Sequence, residues 1–363
     1  MMNTPTSAPL STDPSFQGLI IAYTTQEVNK IGRRCRVKGL SSCAEFHTFN
    51  TTTSTHSRVM VQYSPFVAKD PNGPSPRAVP SPERREFHFD RGHFDFIAAL
   101  LYRLAGIHLA PHKVEMVYSR LARRLRELGL KDFDAYCAHL DSESGEQEIG
   151  FLVNALTTNL TSFFRERHHF DHLGSVVLPA VREAQANAVR PRLRIWSAGC
   201  SSGPEPYTMA MILCDRIPDL RRWDVRILAT DIDTHMVTTA RNGLYSVESL
   251  KTIPPALRDR FTRRVVSGDG DVMISMSEEL RRLITFKPLN LLESWPMRGP
   301  FDAIFCRNVL IYFDRPGRTA VIENFAELLS PDGFLYLGHS ESLYGVSSGF
   351  LQVGPTIYQR TTR

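Results

Sequence analysis

The chain has 363 residues, 42% of them apolar and 22% charged, with a formal net charge of +5. That length accommodates two domains with real cores, and the modest positive balance leaves nucleic acid, an anionic membrane surface and an acidic protein all open as partners. Six scattered cysteines with no C-x-x-C pair argue against zinc and against a disulfide framework.

In chain order, residues 1–82 read as a low-complexity, flexible extension: Thr51, Thr52, Thr53, Ser54 and Thr55 form a polar run, and Pro65, Pro71, Pro74, Pro76, Pro80 and Pro82 follow. A weak amphipathic pattern at Phe16–Val28 allows a helix there. The opening MMNTPTSAPL lacks the basic and apolar regions of a secretory signal, and the longest apolar stretch, Phe94–Leu101, is too short to span a bilayer. A cytoplasmic location is the expectation.

Residues 83–157 read as an all-helical domain. Val114, Val117, Tyr118, Leu121, Leu125 and Leu128 recur on one helix face, and Gly129 supplies a stop. The other face carries Lys113, Arg120, Arg123, Arg124 and Arg126, either as a solvated surface or as a docking surface for something acidic. Helices are expected at Glu146–Leu156 and His168–Ala186, and residues 158–190 form a linking region.

From residue 191 onward, strands expected at Leu193–Ser197, Val225–Ala229, Leu283–Pro288, Phe301–Cys306 and Phe334–Gly338 alternate with helices at Tyr207–Arg216, Thr234–Arg241 and Arg318–Leu329. This is the pattern of a doubly wound α/β sheet, with Phe350–Tyr358 as an antiparallel edge strand. Residues 244–282 break the alternation. Phe261–Val266 and Val272–Ser277, around the turn Ser267–Gly270, predict a small inserted antiparallel β-subdomain, either a decoration or a holder of a partner strand.

The chemistry starts at WSAGCSSGPEPY (Trp196–Tyr207). The small-residue turn after the first strand lets backbone approach a ligand, and Asp231 at the end of the second strand can accept both ribose hydroxyl protons. Neither dinucleotide nor nucleoside-triphosphate glycine signatures are present, and Glu205 sits where a pyrophosphate would need donors. S-adenosylmethionine, phosphate-free and cationic, fits these residues, although Glu205 alone is also an ordinary first-turn acid. Asn290 follows another strand and can read an adenine edge, while Asn308 and Tyr312 leave the end of the strand Phe301–Cys306. Val309, Leu310 and Ile311 read as core.

TNLTSFFRERHHF (Thr158–Phe170), WSAGCSSGPEPY, ATDID, LNLLESW, FDAIFCRNVLIYF and LGHSESL occur in order, and together they resemble the chemotaxis receptor glutamate methyltransferases, the CheR family, over about residues 87–360. The resemblance implies a helical domain before an S-adenosylmethionine-binding domain with an inserted β-subdomain, and no metal. It implies a protein-glutamate O-methyltransferase acting on the cytoplasmic helices of chemoreceptors in sensory adaptation, with S-adenosylhomocysteine as the other product.

Carried onto this chain, Asn159, Thr161 and Arg165 would close over the cofactor. Glu205 would be the cofactor carboxylate and Asp231 the ribose acid. Asn290 and Leu291 would line the adenine side, Arg307 and Asn308 the amino-acid portion, and Arg165 and Tyr312 would lie nearest the transferring methyl. The resemblance gives the basic helix Lys113–Arg126 an acidic receptor partner, and the β-subdomain a receptor tail. One departure is Pro204, where the family's GEEPY has a first acid, so cofactor affinity is expected to change. The rival readings are a non-catalytic cofactor-binding module and a nucleic-acid methyltransferase. Against the latter, no basic and aromatic interleaving suggests a stacking platform.

Overall fold

The computed structural model describes residues 21–24, 58–61 and 85–361, apart from 143–144, 267–269 and 348. The chain divides into two units, residues 1–78 and 79–363. In the first, β1 (Ile21–Thr24) pairs antiparallel with β2 (Arg58–Val61), Ile21 opposite Val61. The described part of the expected Phe16–Val28 helix is therefore strand, and the remainder of the expected extension lies outside the described residues.

The second unit begins with four helices. Asp90 opens α1 (Arg91–Ala105) by accepting from the backbone N–H of His93 at 3.0 Å, and Gly106 closes it at φ 63°. The left-handed region suits glycine because it has no Cβ to clash with the preceding carbonyl. A short 3-10 turn leads into α2 (Val114–Leu128), which stops at Gly129 (φ 66°) as its periodicity predicts. Asp132 caps α3 (Phe133–Leu140), and α4 (Glu146–Leu156) has the bounds expected from sequence. Ile97, Leu101, Val117, Leu121, Leu125, Phe133 and Tyr136 are fully buried between these helices. Each such side chain stabilises the packed state by about 1.5–3 kcal/mol.

The basic face of α2 is mostly spent internally. Arg120 donates to the carbonyls of Ala155 (3.1 Å) and Thr157 (2.7 Å), at the end of α4. Arg124 makes a forked pair with the buried Glu148 and lies 4.0 Å from the Phe151 ring centre. Arg126 pairs with Glu86, and Arg123 with Glu127 across one helical turn. Of the five cations, only Arg123 and Arg126 are strongly exposed. Lys113, Arg120 and Arg124 of the expected docking surface at Lys113–Arg126 are half-buried.

After the linking segment, α5 (His168–His172) runs through a π turn (Leu173–Val177) into α6 (Leu178–Ala184). The main sheet has the order β11-β12-β10-β9-β3-β4-β8, from β3 (Arg192–Ala198), β4 (Asp224–Asp231), β8 (Ile284–Pro288), β9 (Phe301–Cys306), β10 (Leu329–Leu337), β11 (Phe350–Gly354) and β12 (Ile357–Arg360). The strands from β8 to β10 are parallel, while β12 and β11 complete the sheet as an antiparallel hairpin. The single edge strand expected at Phe350–Tyr358 is thus two strands, broken at Pro355-Thr356, where Thr356 takes φ 53°. Helices α7 (Pro204–Arg216), α8 (Thr234–Asn242) and α11 (Arg315–Leu328) connect the parallel strands. Chain order reverses between β3 and β9, which opens a crevice at their carboxyl ends.

The inserted subdomain is a three-stranded antiparallel sheet, β5-β7-β6, of β5 (Leu244–Ser246), β6 (Thr262–Val266) and β7 (Val272–Met276). Helix α9 (Pro255–Phe261) precedes β6, and α10 (Glu278–Arg281) returns the chain to the main sheet. Strand β5 is an addition to the two strands expected from sequence. The turn between β6 and β7 falls largely outside the described residues.

Candidate functional site

The turn after β3 is built by its backbone. Gly199 (φ 84°), Ser201 (φ 48°) and Gly203 (φ 97°) all have left-handed φ, and the N–H groups of Gly199 and Cys200 both donate to the Thr230 carbonyl at 2.8 and 2.9 Å. A Cβ on Gly199 would lie 2.3 Å from Val309 Cγ2. Glycine there lets the turn lie against the segment leaving β9. Pro204 is the first residue of α7, where its missing N–H would have had no intrahelical partner. It is buried and does not line the cleft, so the expected link between this departure and cofactor affinity has no direct contact behind it.

A cleft of about 1010 Å³, counted out to its open mouth, lies over this turn. Asn159, Thr161, Arg165, Glu205, Asp231, Asn290, Leu291, Arg307, Asn308 and Tyr312 all line it, so the structure brings every site residue named from sequence to one place. The bonds of several differ from expectation.

Asp231 Oδ2 accepts from the N–H of Ser201 at 2.7 Å and Oδ1 from that of Asp233 at 2.9 Å. Burial pushes its carboxyl up to about 6, against these two donors. Each oxygen keeps a further lone pair, so hydroxyl donors such as a ribose diol suit it.

Glu205 is not a free carboxylate. Its Oε1 accepts from Ser197 Oγ (2.7 Å) and its Oε2 from Arg307 Nη1 (2.9 Å), all buried. The negative charge expected near a sulfonium is already matched by Arg307, whose Nη2 donates to the Arg165 carbonyl and lies 3.3 Å from Glu166 Oε2.

Asn290 is committed as well. Its amide nitrogen donates to the Leu104 carbonyl and to Glu293 Oε1, both at 3.0 Å, and its oxygen accepts from the N–H of Leu292. It fastens the end of α1 to the catalytic domain, and reading an adenine edge would require giving up one of these bonds. Asn159 similarly donates to Asp233 Oδ2 at 2.8 Å, and that same oxygen accepts from Thr157 Oγ1 at 3.0 Å. Asp233 Oδ1 meanwhile caps α8. Leu291 is a buried apolar wall, and among the described residues no hydrogen bond engages the Thr161 side chain.

Asn308 stands in the left-handed region (φ 60°) just past β9. Glu341 holds it there: this buried carboxylate accepts from the N–H groups of Asn308 (2.8 Å), Val309 (2.9 Å) and Gly338 (2.6 Å). Burial raises the Glu341 carboxyl above the ordinary range. Gly338 leaves the space the Asn308 amide occupies, since a Cβ would come within 2.5 Å of it. Sequence reasoning did not single out Glu341, Ser197 or Glu166; their signal was their presence inside motifs recognised for other residues.

Arg165 donates to the Leu160 carbonyl through Nη1 (3.0 Å), and the rest of its guanidinium makes no hydrogen bond among the described residues. Tyr312 packs its ring beneath Lys113 Nζ, 5.7 Å from the ring centre, and its hydroxyl has no hydrogen-bond partner among the described residues. Its carbonyl accepts from the His108 N–H of the helical domain. Among the described residues the one group with metal-ligand spacing is His88, Asp90 and His93, none of which lines the cleft; Asp90 and His93 serve the cap of α1.

A crevice at the carboxyl ends of parallel strands, with a hydroxyl-accepting acid, apolar walls at Ile232, Leu289, Leu291 and Val309 and no phosphate cradle, suits S-adenosylmethionine. Fold and cleft define the class of S-adenosylmethionine-binding methyltransferases. Residues 159–358 match the family described as CheR methyltransferase, SAM binding domain, and residues 92–157 the CheR methyltransferase, all-alpha domain. Chemotaxis protein methyltransferase 2 of Pseudomonas aeruginosa is 46% identical over 286 residues, covering 78% of this chain and 99% of that protein. The chemotaxis protein methyltransferase of Escherichia coli K12 is 43% identical over 268 residues, covering 73% and 90%. The chain belongs to the CheR methyltransferase family, and its activity is S-adenosylmethionine-dependent methylation in chemotaxis. No helix among the described residues is long and apolar enough to cross a membrane.

Proposed function

We propose that the chain methylates glutamate side chains on the cytoplasmic helices of chemoreceptors, forming methyl esters as a protein-glutamate O-methyltransferase in the cytoplasm. One observation carries this reading. The cleft offers an incompletely engaged cation, Arg165, and an unpartnered hydroxyl, Tyr312, while its acids Glu205 and Asp231 are already bonded. A cleft that offers an open cation, with Glu205 paired and Asp231 placed for the ribose, suits a nucleophile that is anionic on arrival. A glutamate is ionised at neutral pH and needs no proton removed. An amine nucleophile would need a free acceptor for its proton.

Bound S-adenosylmethionine supplies a methyl carbon activated by a positively charged sulfur. Asp231 would hold the ribose, with Leu291 and its apolar neighbours against the adenine and Asn308 along the amino-acid portion. Arg165 then orients the incoming carboxylate with its free N–H groups, and Tyr312 orients the same oxygen or the neighbouring cofactor. Their contribution is alignment and exclusion of water, since the reaction neutralises charge and gains nothing from stabilising the separated ions. The Glu205–Arg307 pair sets the wall against which Asn308 and Arg165 are placed.

Receptor helices with acidic surfaces would meet the exposed Arg123 and Arg126, and β5 or β6, the outer strands of the β5-β7-β6 sheet, would take an added strand from a receptor tail. The test is methyl-labelled cofactor with a receptor cytoplasmic fragment, followed by alkali. Release of labelled methanol is the expected result. Alkali-stable label, or label entering nucleic acid instead, refutes the reading, and binding without transfer would mark a non-catalytic module. Arg165→Ala and Tyr312→Phe should each keep cofactor binding and lose turnover.

A further inference from the structure

We propose that Glu166 is the positioning residue for Arg165, acting as a latch that fixes the backbone of the linking segment against the catalytic domain. The inference rests on the role proposed for Arg165. That residue stands between two non-glycine residues in the left-handed region, Phe164 (φ 55°) and Glu166 (φ 54°). Such a conformation persists only where its surroundings over-determine it. The surroundings here are specific. On the amino-terminal side, Phe163 is buried edge-on against Tyr245, and the N–H of Phe164 donates to Thr208 Oγ1. On the carboxyl side, the Glu166 carboxylate does the holding.

Glu166 is 13% exposed and reaches two separate elements. Its Oε1 accepts from the backbone N–H of His339 (3.2 Å) and meets His339 Nδ1 at 3.0 Å, just beyond the end of β10. Its Oε2 lies 3.3 Å from Arg307 Nη2, the same nitrogen that donates to the Arg165 carbonyl. Arg307 therefore ties Glu205, Glu166 and the backbone of Arg165 together, and Glu166 extends the tie to His339. Burial opposes the charge on Glu166, but Arg307 and His339 outweigh it and hold the carboxyl below its ordinary range. Glu166 itself does not line the cleft. Its effect must pass through the residues it holds, so the receptor-dependent step should suffer while cofactor binding does not.

A double-mutant cycle with Arg165 tests this, because two residues acting through one interaction are non-additive. Glu166→Gln keeps the shape and removes the charge. Its kcat/KM for the receptor fragment should fall about 10- to 100-fold, as expected for a misplaced positioning group. S-adenosylhomocysteine affinity should stay within about twofold of wild type, because no ligand contact is removed. In the Arg165→Ala background the same substitution should cost almost nothing further. Full additivity in the double variant, or wild-type turnover in Glu166→Gln, overturns the inference. Wild-type turnover in Arg165→Ala alone overturns the role assigned to Arg165 and the latch with it, so the two failures are distinguishable. Should Glu166→Gln fail to fold, His339→Ala, at a side chain 69% exposed, runs the same cycle from the other end of the latch. A smaller loss that disappears in the Arg165→Ala background is then expected, and an additive one refutes the proposal.

Discussion

With Asp231 as the ribose acid proposed above, cofactor affinity should depend on pH in a direction set by the burial of its carboxylate. Burial lifts it from 3.8 to about 6 in the free protein. Each unit corresponds to about 1.4 kcal/mol, so holding the ionised form at neutral pH costs roughly 3 kcal/mol. Because the folded value is raised, that part of the free protein's stability is fully present below the unfolded value and is lost as pH rises through about 6. Ribose hydroxyls donating to the ionised form reverse the penalty and pull the carboxyl back down. On this assignment binding should release a proton near and below about pH 6 and none well above it. S-adenosylhomocysteine affinity should be flat between about pH 7 and 8, below the titration of the ligand's own amino group, and fall roughly tenfold by about pH 5. Calorimetry across that range in two buffers of different ionisation heat reads both affinity and proton release. Asp231→Asn supplies the control: it removes the burial penalty but leaves one of the two backbone N–H donors facing an amide NH₂. Its stability near pH 7 should change little, while affinity drops about 10- to 100-fold and its pH slope disappears, from loss of charge-assisted hydrogen bonds. A flat wild-type profile, or a slope that survives in Asp231→Asn, would refute the reasoning.

Three further outcomes are expected. Arg124→Ala leaves the buried Glu148 with the Tyr136 hydroxyl as its remaining donor and should lower unfolding free energy by about 3 kcal/mol in urea titrations, whereas Arg123→Ala, removing an exposed pair, should stay within about 0.5 kcal/mol. Charge reversal at Arg123 plus Arg126 is therefore the clean probe of receptor docking on this helix; reversal at Arg120 and Arg124 would damage the fold. Gly199→Ala forces a Cβ against Val309 in a left-handed turn and should destabilise by about 2–3 kcal/mol, with partial recovery on adding Val309→Ala, both read by thermal melting. Pro204→Glu should leave S-adenosylhomocysteine affinity within about twofold, because position 204 lies outside the cleft lining; a tenfold change in calorimetry would contradict that placement.

Local signals made most of the fold legible. Gly129 ends α2 at the residue its periodicity requires, and the alternation of apolar runs with amphipathic segments places β3, β4, β8, β9 and the helices between them to within a few residues. Weak signals were lost where elements are short or interrupted. Strand β5 is three residues with no alternation to read, and β10 starts at Leu329, ahead of a Ser-Pro-Asp-Gly run that reads as a turn and coincides with a register shift against β9. The site residues were legible as a set because motifs mark positions, but their partners were not. Glu205 meets Arg307 across 102 residues and Asn290 meets Leu104 across 186, and only folding brings such pairs together. Residues that act by holding backbone, such as Glu341 and Glu166, leave no chemical signature of their own in sequence.

The Asp233 side chain starts α8 with one oxygen and anchors Thr157 and Asn159 with the other, while Asn290 and Tyr312 clasp the end of α1 and the segment after it. The lining of the cleft thus belongs to both halves of residues 79–363 at once. An isolated catalytic half would present a ligand pocket missing one of its walls, and grafting the helical half from a relative would succeed only if these seam residues travelled with it.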